Sequence, residues 1–272
     1  MKTTDYISVF LASKLAQGVS KKTITMYKTV LRKLPEALPT TTEALEQVLA
    51  TWQGLSPHSR ATYLRHLKTF YLWLQAHGRL PGPPPKIPRT PTRRPRTRAF
   101  STGEILSIIH TDLPPLEKAA IWLLMATGIR IGEAAPIKWG DIEDGYLKVE
   151  GKTGFRLVPL PQEALHALIA LGAVKPSAKL TPSRPFPFTT NYLGRRVRKA
   201  LAQAGIRGPK AGPHTLRHTF ATHYLRNGGD LASLSQILGH QNITTTMRYL
   251  HLAQEDLKER IALYNPLTKA LH

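Results

Sequence analysis

The stretch from Pro81 to Arg98 constrains the fold more than any other part of the chain. It contains Pro81, Pro83, Pro84, Pro85, Pro88, Pro91 and Pro95. Each proline fixes φ and lacks an amide donor, so this segment can be neither a helix interior nor a central strand. The pattern predicts a semi-extended linker over 81–99. It would separate a helical domain over 1–80 from a second domain over 100–272. Lys86, Arg89, Arg93, Arg94, Arg96 and Arg98 are interleaved with the prolines. Such a linker can follow phosphates while two domains embrace a duplex. The plainer alternative is a spacer kept soluble by arginine. The charge density favours contact with DNA.

Upstream of the linker the chain reads as all helix. Ile7, Phe10, Leu11 and Leu15 fall on one helical face. Ser20 suits the N-cap of a second helix with Ile24, Tyr27, Val30, Leu31 and Leu34 inward. Thr40 with Glu43 forms the capping-box pattern of a third, ending around Trp52. Ser56-Pro57 is an N-cap followed by a first-turn proline, and Gly78 lies past the end of that fourth helix. Lysines and arginines lie between the apolar positions, among them Lys21, Lys28, Arg60 and Arg65. Together they could form a DNA-facing surface; taken singly, each reads as a solvated helix face.

Downstream, Ser101 and Glu104 repeat the capping box before Ile105, Leu106, Ile108 and Ile109. Pro114-Pro115 opens an apolar helix that Gly128 should stop. Asp144-Gly145 signals a hairpin, flanked by strand-like segments at 137–143 and 146–150, with a third strand over 155–160. Helices are then expected over 162–171, 190–204, 214–226, 230–238, 242–250 and 254–263. The fold class is mainly α with one small antiparallel three-stranded sheet.

Charge narrows the partner. Lys and Arg outnumber Asp and Glu by 38 to 17, a formal net charge of +21. So large an excess repels itself unless a polyanion is usually present. Nucleic acid is the first expectation, because phosphate contacts release counterions, and a membrane surface is the weaker rival. There is no cysteine. This excludes disulfides, thiolate nucleophiles and cysteine-bound zinc. No run of about 18 apolar residues and no signal-peptide core is present, so the expectation is a cytoplasmic, nucleoid-associated protein without a membrane partner.

Four short stretches carry chemistry. Thr127-Gly-Ile-Arg130-Ile-Gly-Glu133 follows the apolar helix. Gly151-Lys152-Thr-Gly lies in a hairpin turn. In His214-Thr-Leu-Arg217-His218, the first histidine and the arginine are three apart and share a helix face, and Pro213 marks the helix start. In Leu238-Gly239-His240-Gln-Asn242, a helix ends at Gly239 and Asn242 can cap a short element carrying Tyr249. Alone, each histidine reads as structural, Tyr249 as a packing residue and Lys152 as a solvated turn residue. Their occurrence together, in this order, overturns those readings.

These stretches resemble the tyrosine recombinase family, of the phage-integrase and Xer type, over essentially the whole chain. The resemblance implies a SAM-like four-helix core-binding domain, a linker and a catalytic domain. It implies a site-specific DNA strand-exchange enzyme, working stepwise through a Holliday junction, on duplex DNA bearing a specific recombination site. Tyr249 would be the nucleophile, forming a 3′-phosphotyrosine. Arg130 and Arg217 would hold the nonbridging oxygens through charge-assisted bonds. By the same resemblance Lys152 protonates the leaving 5′ oxygen and His214 is the acid/base partner. His240 is a second phosphate donor, and Glu133 braces the site by bonding His214 or an arginine. His218 is given no chemical role. No metal and no cofactor are expected, since two guanidiniums do what metal ions do in nucleases. Ala135-Pro136 stands where the family commonly has leucine and a small residue, so the short helix after Arg130 is expected to end early.

Arg195, Arg196, Arg198 and Lys199 make the 190–204 helix a further DNA-contact candidate beside linker residues Arg93, Arg94, Arg96 and Arg98. The 254–263 segment has an apolar face that either packs in cis or docks on a neighbouring protomer, which would give a dimer per site and a tetramer in the synapse. Accessory proteins are possible further partners. The rivals are a non-catalytic DNA-binding protein of the same fold and a type IB topoisomerase. Integrase and Xer-type resolvase are not separable at this level.

Overall fold

A computed structural model describes residues 2–90, 98–151, 154–173, 183–208, 210–247 and 249–250. The chain divides into two compact units, Met1–Pro95 and Arg96–His272.

The first unit is a bundle of four helices: α1 (Thr3–Ala16), α2 (Lys21–Leu31), α3 (Thr42–Ala50) and α4 (Pro57–Ala76). Ser20 and Ser56 cap α2 and α4 as expected, and Pro57 opens α4. The cap of α3 is Thr41, one residue later than the expected Thr40; its hydroxyl accepts from the Ala44 amide. The core is aromatic. Phe10 sits edge-on to Tyr27, Phe70 and Trp73 at centroid distances of 4.9, 5.2 and 5.4 Å. Each such pair contributes about 0.5–1.5 kcal/mol beyond area burial. Tyr71 donates to the Pro39 carbonyl at 2.7 Å, and burial holds its phenol above the ordinary value. Leu15, expected inward, is 54% exposed because α1 turns its last apolar position to the surface. Leu80 and Ile87, at the start of the proline-rich stretch, pack on this bundle.

The second unit is mainly α. It contains α5 (Thr102–His110), α6 (Pro115–Thr127), α7 (Ile131–Ala134), a 3-10 turn (Trp139–Asp141), β1 (Ile142–Glu143), β2 (Tyr146–Gly151) and β3 (Gly154–Pro159). After the sheet come α8 (Gln162–Ala173), α9 (Thr190–Gln203), α10 (Pro213–Arg226), α11 (Leu231–Leu238) and α12 (Thr244–Met247). Ser101 and Glu104 close their capping box at α5. Leu106 and Ile109 of that helix face solvent, while Ile108 is buried. Helix α6 runs through the core, packed by α8, α9 and α10. Its buried Ala119, Ala120, Ile121, Leu123 and Leu124 leave room for close helix approach.

The sheet is antiparallel in the order β1-β2-β3. Asp144 and Gly145 take positive φ of 49° and 76°, the geometry a two-residue hairpin requires. The first strand is shorter than expected. Asp141 accepts from the Lys138 amide at 2.8 Å and closes a 3-10 turn where strand was predicted over 137–141. A local cap thus prevails over the strand pattern. Leu147, Val149 and Val158 face the core, and Phe155 and Leu157 face outward. The expected 254–263 helix lies outside the described residues.

Candidate active site

Two helix ends organise the site. Helix α6 stops at Gly128, φ +65°, and α11 stops at Gly239, φ +63°. Both are left-handed caps that favour glycine. A helix end leaves carbonyls without partners and a partial negative charge. Here arginines supply the donors. Arg217 donates to the Gly128 carbonyl at 2.7 Å and to the Leu238 carbonyl at 2.9 Å. Arg130 reaches the same Leu238 carbonyl at 3.5 Å. Arg156 donates from Nε to the Ile237 carbonyl at 2.9 Å.

Arg217 is 4% exposed. Burial pushes its guanidinium down to about 10, with Arg130 adding to the effect and Tyr249 and Glu133 opposing it. It therefore stays charged at neutral pH. The carbonyl ends of α6 and α11 provide the local negative potential that makes this tolerable.

Arg130 lies two residues past the Gly128 cap of α6, and its side chain is 42% exposed. Three residues on, in the four-residue α7 that ends before Ala135-Pro136 as expected, Glu133 is 7% exposed. Its Oε2 accepts from the Arg130 amide at 2.8 Å and its Oε1 from Arg130 Nη1 at 3.0 Å. Arg156 occupies the same two oxygens, at 3.2 Å to Oε1 and 2.9 Å to Oε2. Four donors saturate a carboxylate. Of the two brace partners expected for Glu133, the structure thus shows arginine and not His214. Burial alone would raise the Glu133 carboxyl; the Arg156 and Arg130 bonds outweigh it and hold the carboxyl below its usual range.

Helix α10 begins at Pro213 and presents His214 at its first turn. The pKa of His214 is lowered by partial burial first, then by Arg217, Arg130 and Arg198, so the ring is neutral at pH 7. His240 follows the α11 cap. Its Nε2 lies 2.9 Å from Arg217 Nη2, and its Nδ1 lies 2.7 Å from Thr246 Oγ1. Arginine only donates, so Nε2 accepts and Nδ1 carries the proton toward Thr246.

Tyr249 is 1% exposed, packed with Ala221, Leu225, Leu234 and Leu238 between α10 and α11. Asn242 accepts from the Thr244 amide at 2.9 Å, which closes a local turn. Helix α12 spans only Thr244–Met247, so in place of the expected 242–250 helix Asn242 stands before the cap position and Tyr249 lies beyond the helix end. The Tyr249 hydroxyl lies 2.8 Å from His218 Nδ1. His218, to which the sequence assigned no chemical role, is thus bonded to the tyrosine hydroxyl. No spacing rule links positions 218 and 249, so the sequence held no signal for it. Arg156 was missed as well. Its signal was an arginine at an inward position of an alternating strand, in register with Val149.

Arg130, Glu133, His214, Arg217 and His240 are thus brought together, while Lys152 lies outside the described residues, as do Arg93, Arg94 and Arg96. Two of the DNA-contact candidates are engaged elsewhere. Arg98 pairs with Glu104, and Arg196 with the buried Glu117. Each of these guanidiniums shares its donors with a carboxylate of the second unit while remaining partly exposed. Arg195, Arg198 and Lys199 are exposed on α9.

Known proteins resemble this chain in sequence and in fold. The profile of the phage integrase family matches residues 96–256. Tyrosine recombinase XerD of Vibrio cholerae is 30% identical over 271 residues, covering 89% of this chain and 90% of that protein. Tyrosine recombinase XerD of Proteus mirabilis is 33% identical over 272 residues, covering 90% of this chain and 87% of that protein. Among solved structures, a lambda integrase (75–356) dimer bound to a COC′ core site matches with a TM-score of 0.74 at 22% identity, covering 90% of this chain and 97% of that chain. The XerA recombinase matches with a TM-score of 0.53 at 29% identity, covering 97% and 99%.

Proposed function

Since the chain belongs to the phage integrase family and is a tyrosine site-specific recombinase related to XerC and XerD, we propose that it cuts and rejoins duplex DNA through a 3′-phosphotyrosine intermediate, with Tyr249 as nucleophile. The observation that carries this reading is the convergence of Arg130, Arg217 and His240 at the capped ends of α6 and α11. With Arg156, three guanidiniums stand against the one carboxylate of Glu133 and leave an excess of positive charge suited to a phosphate.

In the forward step the Tyr249 oxygen bonds to phosphorus and the bond from phosphorus to the 5′ oxygen breaks. Arg130 and Arg217 hold the charge that builds on the nonbridging oxygens. His214, neutral at pH 7, accepts the phenol proton. Lys152 gives a proton to the leaving 5′ oxygen. The reverse step uses a 5′ hydroxyl from the partner duplex, so one ester is exchanged for another and neither ATP nor a metal is needed. Two such exchanges pass through a Holliday junction. His240 turns from Arg217 to the phosphate when DNA arrives, and Tyr249 leaves His218. Attack is thereby confined to DNA-bound protomers, assembled as a dimer per site and a tetramer in the synapse. The protein would act on nucleoid DNA in the cytoplasm, with Arg195, Arg198 and Lys199 on phosphates. Whether it resolves dimers or moves an element follows from the site it selects.

The test is a nicked suicide duplex carrying the site that the protein selects from a randomised library. Wild type should form a covalent adduct that runs slowly on a denaturing gel, and Tyr249→Phe should form none. An adduct with the phenylalanine variant would refute the nucleophile assignment. No adduct with wild type on any selected site would favour a non-catalytic DNA-binding protein.

A further inference from the structure

Arg156 joins three parts of the site that are remote in sequence. It lies on β3 and its side chain is only 15% exposed. Its two terminal nitrogens take both oxygens of Glu133, while Nε takes the Ile237 carbonyl. Glu133 in turn holds Arg130 by backbone and side chain. The next carbonyl of α11, that of Leu238, accepts from Arg217. The corner beyond it also rests on Arg156. A Cβ added at Gly239 would lie 2.9 Å from the Arg156 guanidinium carbon, so the backbone leading into His240 packs directly against it. One planar group therefore sets the spacing between β3, the Arg130–Glu133 pair and the corner that carries His240.

We infer that Arg156 is a positioning residue for strand cleavage: it fixes Arg130, through Glu133, at the distance from the His240 corner that a phosphate requires. The inference rests on the reading of Arg130 as a phosphate-holding group. Chemistry selects arginine for the task. A lysine neutralises Glu133 equally well but is a point charge. It cannot present parallel donors to both carboxylate oxygens and a third donor to a carbonyl in the same plane. The requirement is one of shape, and charge alone does not meet it.

The experiment measures single-turnover adduct formation on the selected nicked duplex, with either a phosphodiester or a neutral methylphosphonate at the scissile position. Arg130→Ala, Arg156→Lys, Glu133→Gln and the double variant Arg130→Ala with Arg156→Lys are compared with wild type. On the phosphodiester, Arg156→Lys should slow cleavage by about 10²-fold, the scale of a small misplacement of a catalytic group. On the methylphosphonate, which has one nonbridging oxygen fewer and one negative charge less to hold, most of that loss should vanish, as it should for Arg130→Ala. The double variant should be no slower than Arg130→Ala alone, because both changes remove the same interaction. Glu133→Gln should show the same substrate dependence, which keeps the test decisive if Arg156→Lys folds poorly. Equal losses on both substrates, or additive losses in the double variant, would overturn the inference and leave Arg156 a structural ion pair. If Arg130→Ala itself lost equally on both substrates, the failure would lie instead with the phosphate-holding role of Arg130.

Discussion

The ends of α4 and α6 are built alike and used differently. Each is followed by a glycine with positive φ, Gly78 at +60° and Gly128 at +65°. Around Gly78 there is open space: a Cβ there would meet nothing within 4 Å. Around Gly128 there is none. A Cβ would lie 2.3 Å from the Phe220 ring and 2.9 Å from Leu238. The helix end in the first unit simply stops a helix. The one in the second unit is packed against α10 and α11, and its carbonyl receives Arg217. The contrast extends to the cores. In the first unit Thr3 is the one buried polar residue among those described; the second buries Glu117, Glu133 and Arg217. Isolated buried charges cost far more than apolar burial returns, so they persist where partners are supplied. The second unit accepts that cost for Glu133 and Arg217 at its candidate site and for Glu117 where it meets Arg196.

The largest expected effect tests this contrast directly. Gly128→Ala adds about 1–2 kcal/mol of left-handed strain to about 1–3 kcal/mol of overpacking, and displaces the Arg217 acceptor, so cleavage should be lost along with stability. Gly78→Ala should cost only the strain and leave cleavage intact. Denaturant melts and adduct assays on both variants check this, and equal costs would break the comparison.

An intermediate effect concerns Glu133. Its carboxyl lies below the ordinary 4.5 in the folded protein. Its contribution is therefore complete above the unfolded value and is lost as pH falls through the folded one. Glu133→Gln should lower stability at pH 7 by about 1–3 kcal/mol, the range for a charged hydrogen bond left incomplete. It should also flatten the fall in stability below pH 4.5 that linkage predicts for wild type. An unchanged acid slope would show that Glu133 is not the group whose protonation loosens the site.

The smallest effect concerns His214. Partial burial, Arg217, Arg130 and Arg198 all lower its pKa. Removing the exposed Arg198 charge with Arg198→Gln should raise the His214 midpoint toward 6.5. The acid limb of cleavage should move up with it, because the proposed base is the neutral ring. An NMR titration of His214 reads this; a midpoint that stays or falls would show that Arg198 does not act on the ring.

Much of the fold was legible because its signals are local. Ser20, Ser56, Ser101 and Asn242 each accept from a backbone amide no more than three residues along the chain. Gly128 and Gly239 end helices for a reason present in their own backbones. Where local signals competed, expectation and structure parted, as at Thr40 against Thr41 and in the 3-10 turn before β1. The chemistry-bearing types Arg130, His214, Arg217, His240 and Tyr249 stood out by order and spacing.

The sequence by itself therefore determined the helical elements, the two-part organisation of the chain and the kinds of group available for phosphate chemistry. Only the tertiary structure decided whom those groups meet. Arg130 and the Leu238 carbonyl are 108 residues apart in the sequence, and His218 and Tyr249 are 31 apart. Glu133 takes Arg156 and not His214, Arg196 turns to Glu117, and the nucleophile candidate rests on a histidine that had no assigned role. The physical reason is range. Capping and periodicity act within a turn or two of chain. The partner of a buried charge is instead selected by which helix ends and strand faces the packed core brings within bonding distance.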